Sequence, residues 1–582
     1  MKLGSRSARA RIRRTELRPS SEARPSNKPP APERSLQAAP ETRQTHPDLL
    51  HEQASISVDE PALLHTLSFA FIAGSAGGSL QTALNRTALA ASSFSPAALQ
   101  DGLFIDDLIG LAFEFSSAGK PAPIERRRLL RLLTRPPAAR GDIALRQAVL
   151  RELVDDPALE AALRRVYAAV AVLPNLLDEE GSDARLAINA WRIDLLRAIH
   201  EAINTLDASF AGASSALSRL AAFGEHVRAS AGFKQLGELL DFEADSARAD
   251  LQISLGADGR IRSLAIVSLR ERSQSPFHVH PLLRLWRRLL AFVQGYTVGP
   301  TEIVDRWLET VWTGVLEYVP SLLQLKGDLE FYLGALHFRQ LAAAKGLPVC
   351  LPELVTDAEP NVGKRVHGLW NPLLLGQATT PVTTQLTLPS FVNTCITTGP
   401  NSGGKTRFLQ ALGLCQLLGQ AGAFVAASDA SIRLVAGMFV SLGEAPHVDQ
   451  KEGRLGMELT RIRSLFEQAQ TGSLVILDEL CSGTNPSEGE EIMRMLLELL
   501  HELEHEVHIT THFLRFAHNL QSDALTLGLS FLQVELDETE HPTYRFVPGV
   551  ATTSLAHQTA ERLGVTREQL RHLITHRDRK QS

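Results

Sequence analysis

The chain has 582 residues, of which 44% are hydrophobic and 21% charged, so it is not disordered as a whole and has room for about three or four domains. Its 59 Lys and Arg against 65 Asp and Glu give a formal net charge of -6. This excludes the global basic balance of many nucleic-acid binders, and any such partner would have to meet a local positive surface. Four cysteines, Cys350, Cys395, Cys415 and Cys481, stand far apart beside apolar runs, the pattern of buried thiols in a reducing compartment and not of a disulfide framework or zinc site.

Residues 1–55 are rich in Arg, Pro, Ser, Glu and Gln and lack aromatics, a composition that cannot offset its own ordering entropy. It reads as a disordered basic tail, either a solvated leader or a weak, salt-sensitive grip on nucleic acid. Arg6, Arg9, Arg11, Arg13 and Arg14 interrupt any secretory signal, and the apolar stretch from Leu67 to Gly77 is too short to span a bilayer. A cytoplasmic protein without a membrane partner is expected. An N-terminal helical segment follows over 56–120.

Between 121 and 350 apolar residues recur at three and four over Ile124–Leu133, Ala144–Leu153, Ala158–Val172, Ala187–Leu206, Leu282–Val293 and Val304–Val319, which predicts a mostly α-helical body. A small β insertion interrupts it at 251–267, where Leu251–Leu255 and Ile261–Val267 flank Gly256-Ala257-Asp258-Gly259 as two strands and a turn. Arg260, Arg262, Arg270 and Arg272 lie on or beside this hairpin, and solvated arginines or a DNA-touching tip both fit.

From about 375 to 582 short β-branched runs alternate with amphipathic helices, the signature of an α/β domain with a parallel sheet covered on both faces. The strand Phe391–Thr398 is followed by Gly399-Pro400-Asn401-Ser402-Gly403-Gly404-Lys405-Thr406 and a helix over Arg407–Leu418. This is a phosphate-binding loop. Its glycines let backbone N–H groups turn onto phosphate oxygens, the helix N-terminus adds partial positive charge, Lys405 reaches the β- and γ-phosphates, and the Thr406 hydroxyl can ligate Mg²⁺. ATP and Mg²⁺ are the expected ligands.

The apolar strand Ser473–Leu477 ends in Asp478 and Glu479, at the strand end that faces the ligand crevice in such sheets. Asp478 can hold Mg²⁺, and Glu479 can orient or deprotonate the attacking water. After Pro486, Ser487 and Glu490 read as a capping box for a helix with the apolar stripe Ile492, Met495, Leu496, Leu499, Leu500 and Leu503. The strand Val507–Thr511 delivers His512, which could contact a γ-phosphate or be merely structural.

These residues together make the chain resemble the MutS family of DNA mismatch repair ATPases. The resemblance rests on Thr398 to Thr406, on Leu477-Asp478-Glu479-Leu480-Cys481-Ser482-Gly483-Thr484-Asn485-Pro486-Ser487-Glu488-Gly489, and on Thr510-Thr511-His512. Asp142–Leu153 is similar to the start of that family's helical core. Leu351–Leu354 and Asn371-Pro372 are similar to its approach to the ATPase. Ser554–Thr566 is similar to its closing helix-turn-helix.

The resemblance implies an ABC-like P-loop ATPase domain with a helical core and lever at 121–350, a clamp-like β insertion and a C-terminal helix-turn-helix. It further implies a homodimeric clamp on mismatched or branched duplex DNA, nucleoid-associated in the cytoplasm, acting in mismatch repair or recombination. Lys405 would act on phosphate, Thr406 and Asp478 at Mg²⁺, Glu479 at the water and His512 as a γ-phosphate sensor. A MutS-like ATPase working on ribosomes or another protein, and a low-turnover nucleotide switch, are the alternatives.

Three departures qualify the resemblance. The family's N-terminal mismatch reader has no counterpart, since Phe223-Gly224-Glu225 falls in the helical body. The segment that reaches a partner's nucleotide is shortened here to Lys451–Glu458 and lacks its serine, so Arg454 is the available substitute. The motif run from Leu477 is closest to the branch that ends in a nuclease domain, for which the residues after Arg571 leave no room.

Overall fold

A computed structural model describes residues 46–86, 99, 102–178, 185–245, 248–255, 261–270, 300–355, 363–390, 392–442, 454–481, 484–521, 528–552 and 565–571. Outside them fall the expected helix Leu282–Val293, the hairpin turn with Arg260, most of the expected helix-turn-helix, and most of the basic tail. The last ten residues assigned to that tail are packed instead. Asp48, Leu49 and Leu50 are buried, because the Tyr332 hydroxyl donates to the Leu49 carbonyl at 2.5 Å and Arg219 donates to the carbonyls of Asp48 and His51 at 2.8 Å. Partners far along the chain order this stretch, which its composition does not reveal.

The first half is helical, as the periodicity predicts. The helix Pro157–Val170 begins at Asp156, whose carboxylate accepts from the Ala158 N–H, and Leu159, Ala162, Leu163, Val166, Tyr167 and Val170 form its buried stripe. Helices Arg126–Thr134, Arg140–Asp155 and Arg185–Thr205 match expected segments to within a few residues. Phe223-Gly224-Glu225 lies in the helix Ser218–Ala229, with Phe223 buried.

The expected helix Val304–Val319 is two helices, Pro300–Val315 and Val319–Ala344, separated by a 3₁₀ turn at Leu316–Tyr318. Pro320 is accommodated because it falls in the first turn of the second helix, where no intrahelical N–H bond is lost. That helix is buried along most of its length, so its charges are paired: Asp328 with Arg128 at 2.9 Å and Glu330 with Lys326 at 2.5 Å.

Two short hairpins belong to this half, β1 (Ser116–Ser117) with β2 (Lys120–Pro121), and β3 (Arg248–Leu255) with β4 (Ile261–Arg270). The second is antiparallel, as expected for 251–267, and pairs over a longer span.

Two sheets build the second half. A four-stranded sheet in the order β5-β9-β6-β7 comprises β5 (Glu353–Val355), β6 (Arg365–Leu369), β7 (Thr384–Thr387) and β9 (Asp429–Arg433). The six-stranded sheet runs β10-β11-β12-β8-β13-β14, from β8 (Thr394–Thr398), β10 (Met438–Ser441), β11 (Leu474–Leu477), β12 (Glu506–Thr510), β13 (Leu529–Leu536) and β14 (Pro542–Pro548). All its pairings are parallel except β13 with β14.

Side chains alternate across this sheet. Cys395, Leu474, Ile476, Leu532 and Val534 join the core shared with the helical body and the helix Lys405–Gln420. Ile396, Val475, Leu477, Val507, Ile509 and Phe531 face a second core with helices Arg454–Gln468, Pro486–Glu502 and Leu514–Leu520. Both faces are covered, which is why the strands read as continuous apolar runs and the pairing is parallel. Among the described residues no helix is long and apolar enough to cross a membrane.

Candidate functional site

β8 is the fourth strand of the sheet, and the loop Gly399–Gly404 leaves its C-terminal end to start the helix Lys405–Gln420. Gly399 has φ 141° and Gly404, the cap residue, φ 84°, values that side-chain-bearing residues rarely adopt. Space is also restricted: a Cβ on Gly399 or Gly403 would meet the Val534 side chain at 2.6 or 2.8 Å. The glycines are therefore required by the neighbouring strand as much as by the turn. Asn401 and Ser402 stand exposed at the crest, and Pro400 is buried at its base.

Lys405 is buried in the first turn of the helix. Its ammonium donates to the carbonyls of Gly399 at 3.0 Å and Pro400 at 3.2 Å, and lies 3.3 Å from the Glu479 carboxylate. The next residue, Thr406, donates its hydroxyl to Asp478 Oδ2 at 2.6 Å. The strand order explains these meetings. β11 lies beside β12, and β12 beside β8, so the residues just after β11 and the loop just after β8 open on one sheet end.

The turn after β11 is held from two sides. Glu479 and Cys481 have φ 48° and 61°. Thr510, at the end of β12, donates its hydroxyl to Asp478 Oδ1 at 2.5 Å and accepts the Glu479 N–H at 2.8 Å. Glu458, on the helix Arg454–Gln468, accepts the Cys481 N–H at 2.8 Å. Burial, and next the Glu458 charge, push the Cys481 thiol up to about 11. Burial likewise pushes Cys395 and Cys415 up to about 12, so these thiols are protonated and unreactive at neutral pH.

His512, two residues past β12, is half-buried with its ring 4.4 Å from that of Phe513. Among the described residues no hydrogen bond or ion pair joins its side chain to Lys405, Thr406, Asp478 or Glu479. The expected capping box at Ser487 and Glu490 is replaced by Asn485, whose side chain accepts the Ser487 N–H at 3.2 Å. Of that helix's expected stripe, Met495 and Leu499 are exposed, while Met493 and Leu497 are buried with Leu496 and Leu500. The stripe is rotated because the second core lies on the other side of the helix.

A cavity of about 500 Å³ opens beside the loop, lined by Trp370, Asn371, Val382, Gly404, Phe408 and Tyr544 among others. Phe408 and Phe546 stack at 4.2 Å next to it. Tyr544 and Val382 keep exposed surface, 52% and 41%, and the Tyr544 ring approaches Gly404, where a Cβ would meet its Cδ1 at 3.2 Å. Residue order gave no signal for this cavity, since its walls come from the segment 369–384, the start of the helix Lys405–Gln420 and β14 together. Thr510 was visible only as part of a motif and carried no role of its own.

Asp478 and Thr406 present only oxygen, the donor type that suits a hard Mg²⁺ ion sharing its shell with phosphate and water. Among the described residues no group of three or more His, Cys, Asp and Glu side chains could form an all-protein metal cage.

A family model described as MutS domain V matches residues 395–573, which include the loop, both carboxylates and His512. Three similar proteins are named Endonuclease MutS2. That of Thermomicrobium roseum is 32% identical over 303 residues, 50% of this chain and 36% of the relative. That of Caldanaerobacter subterraneus subsp. tengcongensis is 34% identical over 220 residues, 37% and 27% of the two chains. That of Agathobacter rectalis is 32% identical over 244 residues, 42% and 29%. The matched stretch thus spans about a third of the relatives' own length.

Proposed function

Taking as premise that the chain is a MutS-family protein, we propose that it binds ATP at the loop Gly399–Thr406, hydrolyses it with Mg²⁺, and couples the cycle to DNA as a dimer. One observation carries the reading: Lys405 meets Glu479, and Thr406 meets Asp478, across three strands of the sheet. A phosphate-binding cation, a metal-binding hydroxyl and carboxylate, and a base for water are the parts phosphoryl transfer to water needs.

Backbone N–H groups of the loop and the helix N-terminus bind phosphate oxygens, and Lys405 exchanges its carbonyl and Glu479 contacts for phosphate. Thr406 and Asp478 would hold Mg²⁺, which when bound neutralises charge developing on the phosphates. Glu479, freed from Lys405, orients the attacking water and accepts its proton. The cavity under Tyr544 takes the adenine base, with the ring and Val382 as stacking surfaces. His512, two residues past β12, is assigned the role of γ-phosphate sensor.

Residues 121–350 serve as core and lever, and the hairpin β3–β4 within them as the part that meets DNA. The relatives' name, endonuclease, supports DNA as the partner class. Branched and mismatched duplexes are the substrates proposed. The test is steady-state ATP turnover of wild type, Glu479→Gln and Lys405→Ala, with binding to duplex, mismatched and branched DNA at several salt concentrations. Glu479→Gln should reduce turnover at least about 100-fold while still binding ATP, and DNA affinity should fall steeply with salt. Turnover that survives Glu479→Gln refutes the assignment, and no DNA binding at low salt refutes the partner.

A further inference from the structure

Asp478 and Glu479 are adjacent in sequence but have different tasks in the reading above, and the backbone between them is unusual. Glu479 sits in the left-handed region at φ 48°, which non-glycine residues seldom occupy unless surrounding contacts hold them there. The contact that reaches both residues is a single hydroxyl. Thr510 Oγ1 has one proton, which it gives to Asp478 Oδ1, and lone pairs, one of which takes the Glu479 N–H. Donation to a carboxylate makes that oxygen a better acceptor, so the two bonds strengthen each other. The arrangement is rigid because Thr510 is fully buried and its backbone is part of β12, paired to β8 immediately before the loop.

We propose that Thr510 is a positioning residue for ATP hydrolysis: its hydroxyl fixes the Asp478 carboxylate and, through the Glu479 amide, the direction in which the Glu479 side chain leaves the turn. The inference rests on the hydrolysis reading. The Glu458 contact to Cys481 N–H anchors the far end of the turn but touches neither carboxylate. Since Lys405 and the loop glycines bind phosphate without help from Thr510, its loss acts on the chemical step and leaves nucleotide affinity in place.

Thr510→Val keeps the shape and the strand preference of the residue and removes only the hydroxyl. Thr510→Ser keeps the hydroxyl. Turnover and binding of a fluorescent ATP analogue are measured for both with the full chain, together with amide hydrogen exchange across 474–481. Thr510→Val should lower kcat about ten- to a hundred-fold, with KM and analogue affinity within about two-fold. It should also speed exchange of the Glu479 amide and leave that of Ile476 unchanged, and Thr510→Ser should restore most of kcat.

Wild-type kcat in Thr510→Val overturns the inference and leaves the hydrolysis reading standing. Parallel loss of kcat, analogue binding and thermal midpoint without rescue by serine also overturns it, as a merely structural role. Absence of turnover in the wild type overturns both.

Discussion

Gly399→Ala tests how tightly the loop is fitted to the sheet. The residue has φ 141°, in a region open essentially to glycine, and an added Cβ would lie 2.6 Å from Val534 Cγ2, 2.8 Å from Val534 Cβ and 3.3 Å from Val534 N. Holding alanine in that conformation costs about 1–3 kcal/mol. Forcing a methyl group against Val534, itself buried on β13, costs about 1–3 kcal/mol more. The backbone contact prevents the valine from relieving the clash by rotation alone, so the loop has to shift. If the cost of about 2–6 kcal/mol falls on the binding-competent loop, ATP affinity drops about 30-fold or more.

The assay is the dissociation constant of a fluorescent ATP analogue for Gly399→Ala, Val534→Ala and the double variant. Val534→Ala removes the Cγ2 contact but keeps the Cβ at 2.8 Å, so it should recover part of the steric share, a coupling of about 0.5–2 kcal/mol, and none of the backbone share. Affinity within two-fold of wild type in Gly399→Ala refutes the reasoning. Full recovery in the double variant refutes the part assigned to φ.

Two further predictions concern the frame around the site. Arg146 is buried and donates to the Leu50 carbonyl and to Ala421, the residue capping the helix Lys405–Gln420, at 3.0 Å each, with its guanidinium 5.6 Å from the Phe331 ring centre. Arg146→Met should cost about 2–4 kcal/mol through two lost charge-assisted bonds, read as a lower thermal midpoint and protease sensitivity at 46–55. Burial pushes the Glu506 carboxyl up, but the Lys364 charge and His508 together overcome this and hold it well below the ordinary 4.5. Because the folded value is depressed, its stabilisation is complete above about pH 4.5 and is lost as pH falls toward the folded value. Glu506→Gln should therefore lower stability at pH 7 and flatten the acid limb of a melting-temperature profile. An unchanged profile would contradict the pairing.

The loop Gly399–Thr406 and the pair Asp478 and Glu479 were legible because each is a local pattern: a glycine run between strand and helix, and carboxylates at the end of an apolar strand. The helices of the first half were legible for the same reason, since three-and-four periodicity reports one buried face. Where burial is all-round, as in Val319–Ala344, that signal fades, and the pattern ran two helices together at Leu316–Tyr318. The helix after Asp478 shows the limit differently. Its apolar residues were visible, but which of them are buried depends on where the second core lies, so Met495 and Leu499 are exposed.

Composition placed 46–55 in a flexible tail, and contacts from distant helices, Tyr332, Arg146, Arg219 and Gln324 among them, show it packed. What the sequence determined by itself is the chemistry available at the sheet end, because those residue types and their spacing are written in short contiguous runs. Tertiary structure alone decided that Thr406 meets Asp478, that Thr510 holds the turn, and that Val534 presses on the glycines. Such contacts depend on strand order, which hydrogen bonding and burial between remote segments settle together.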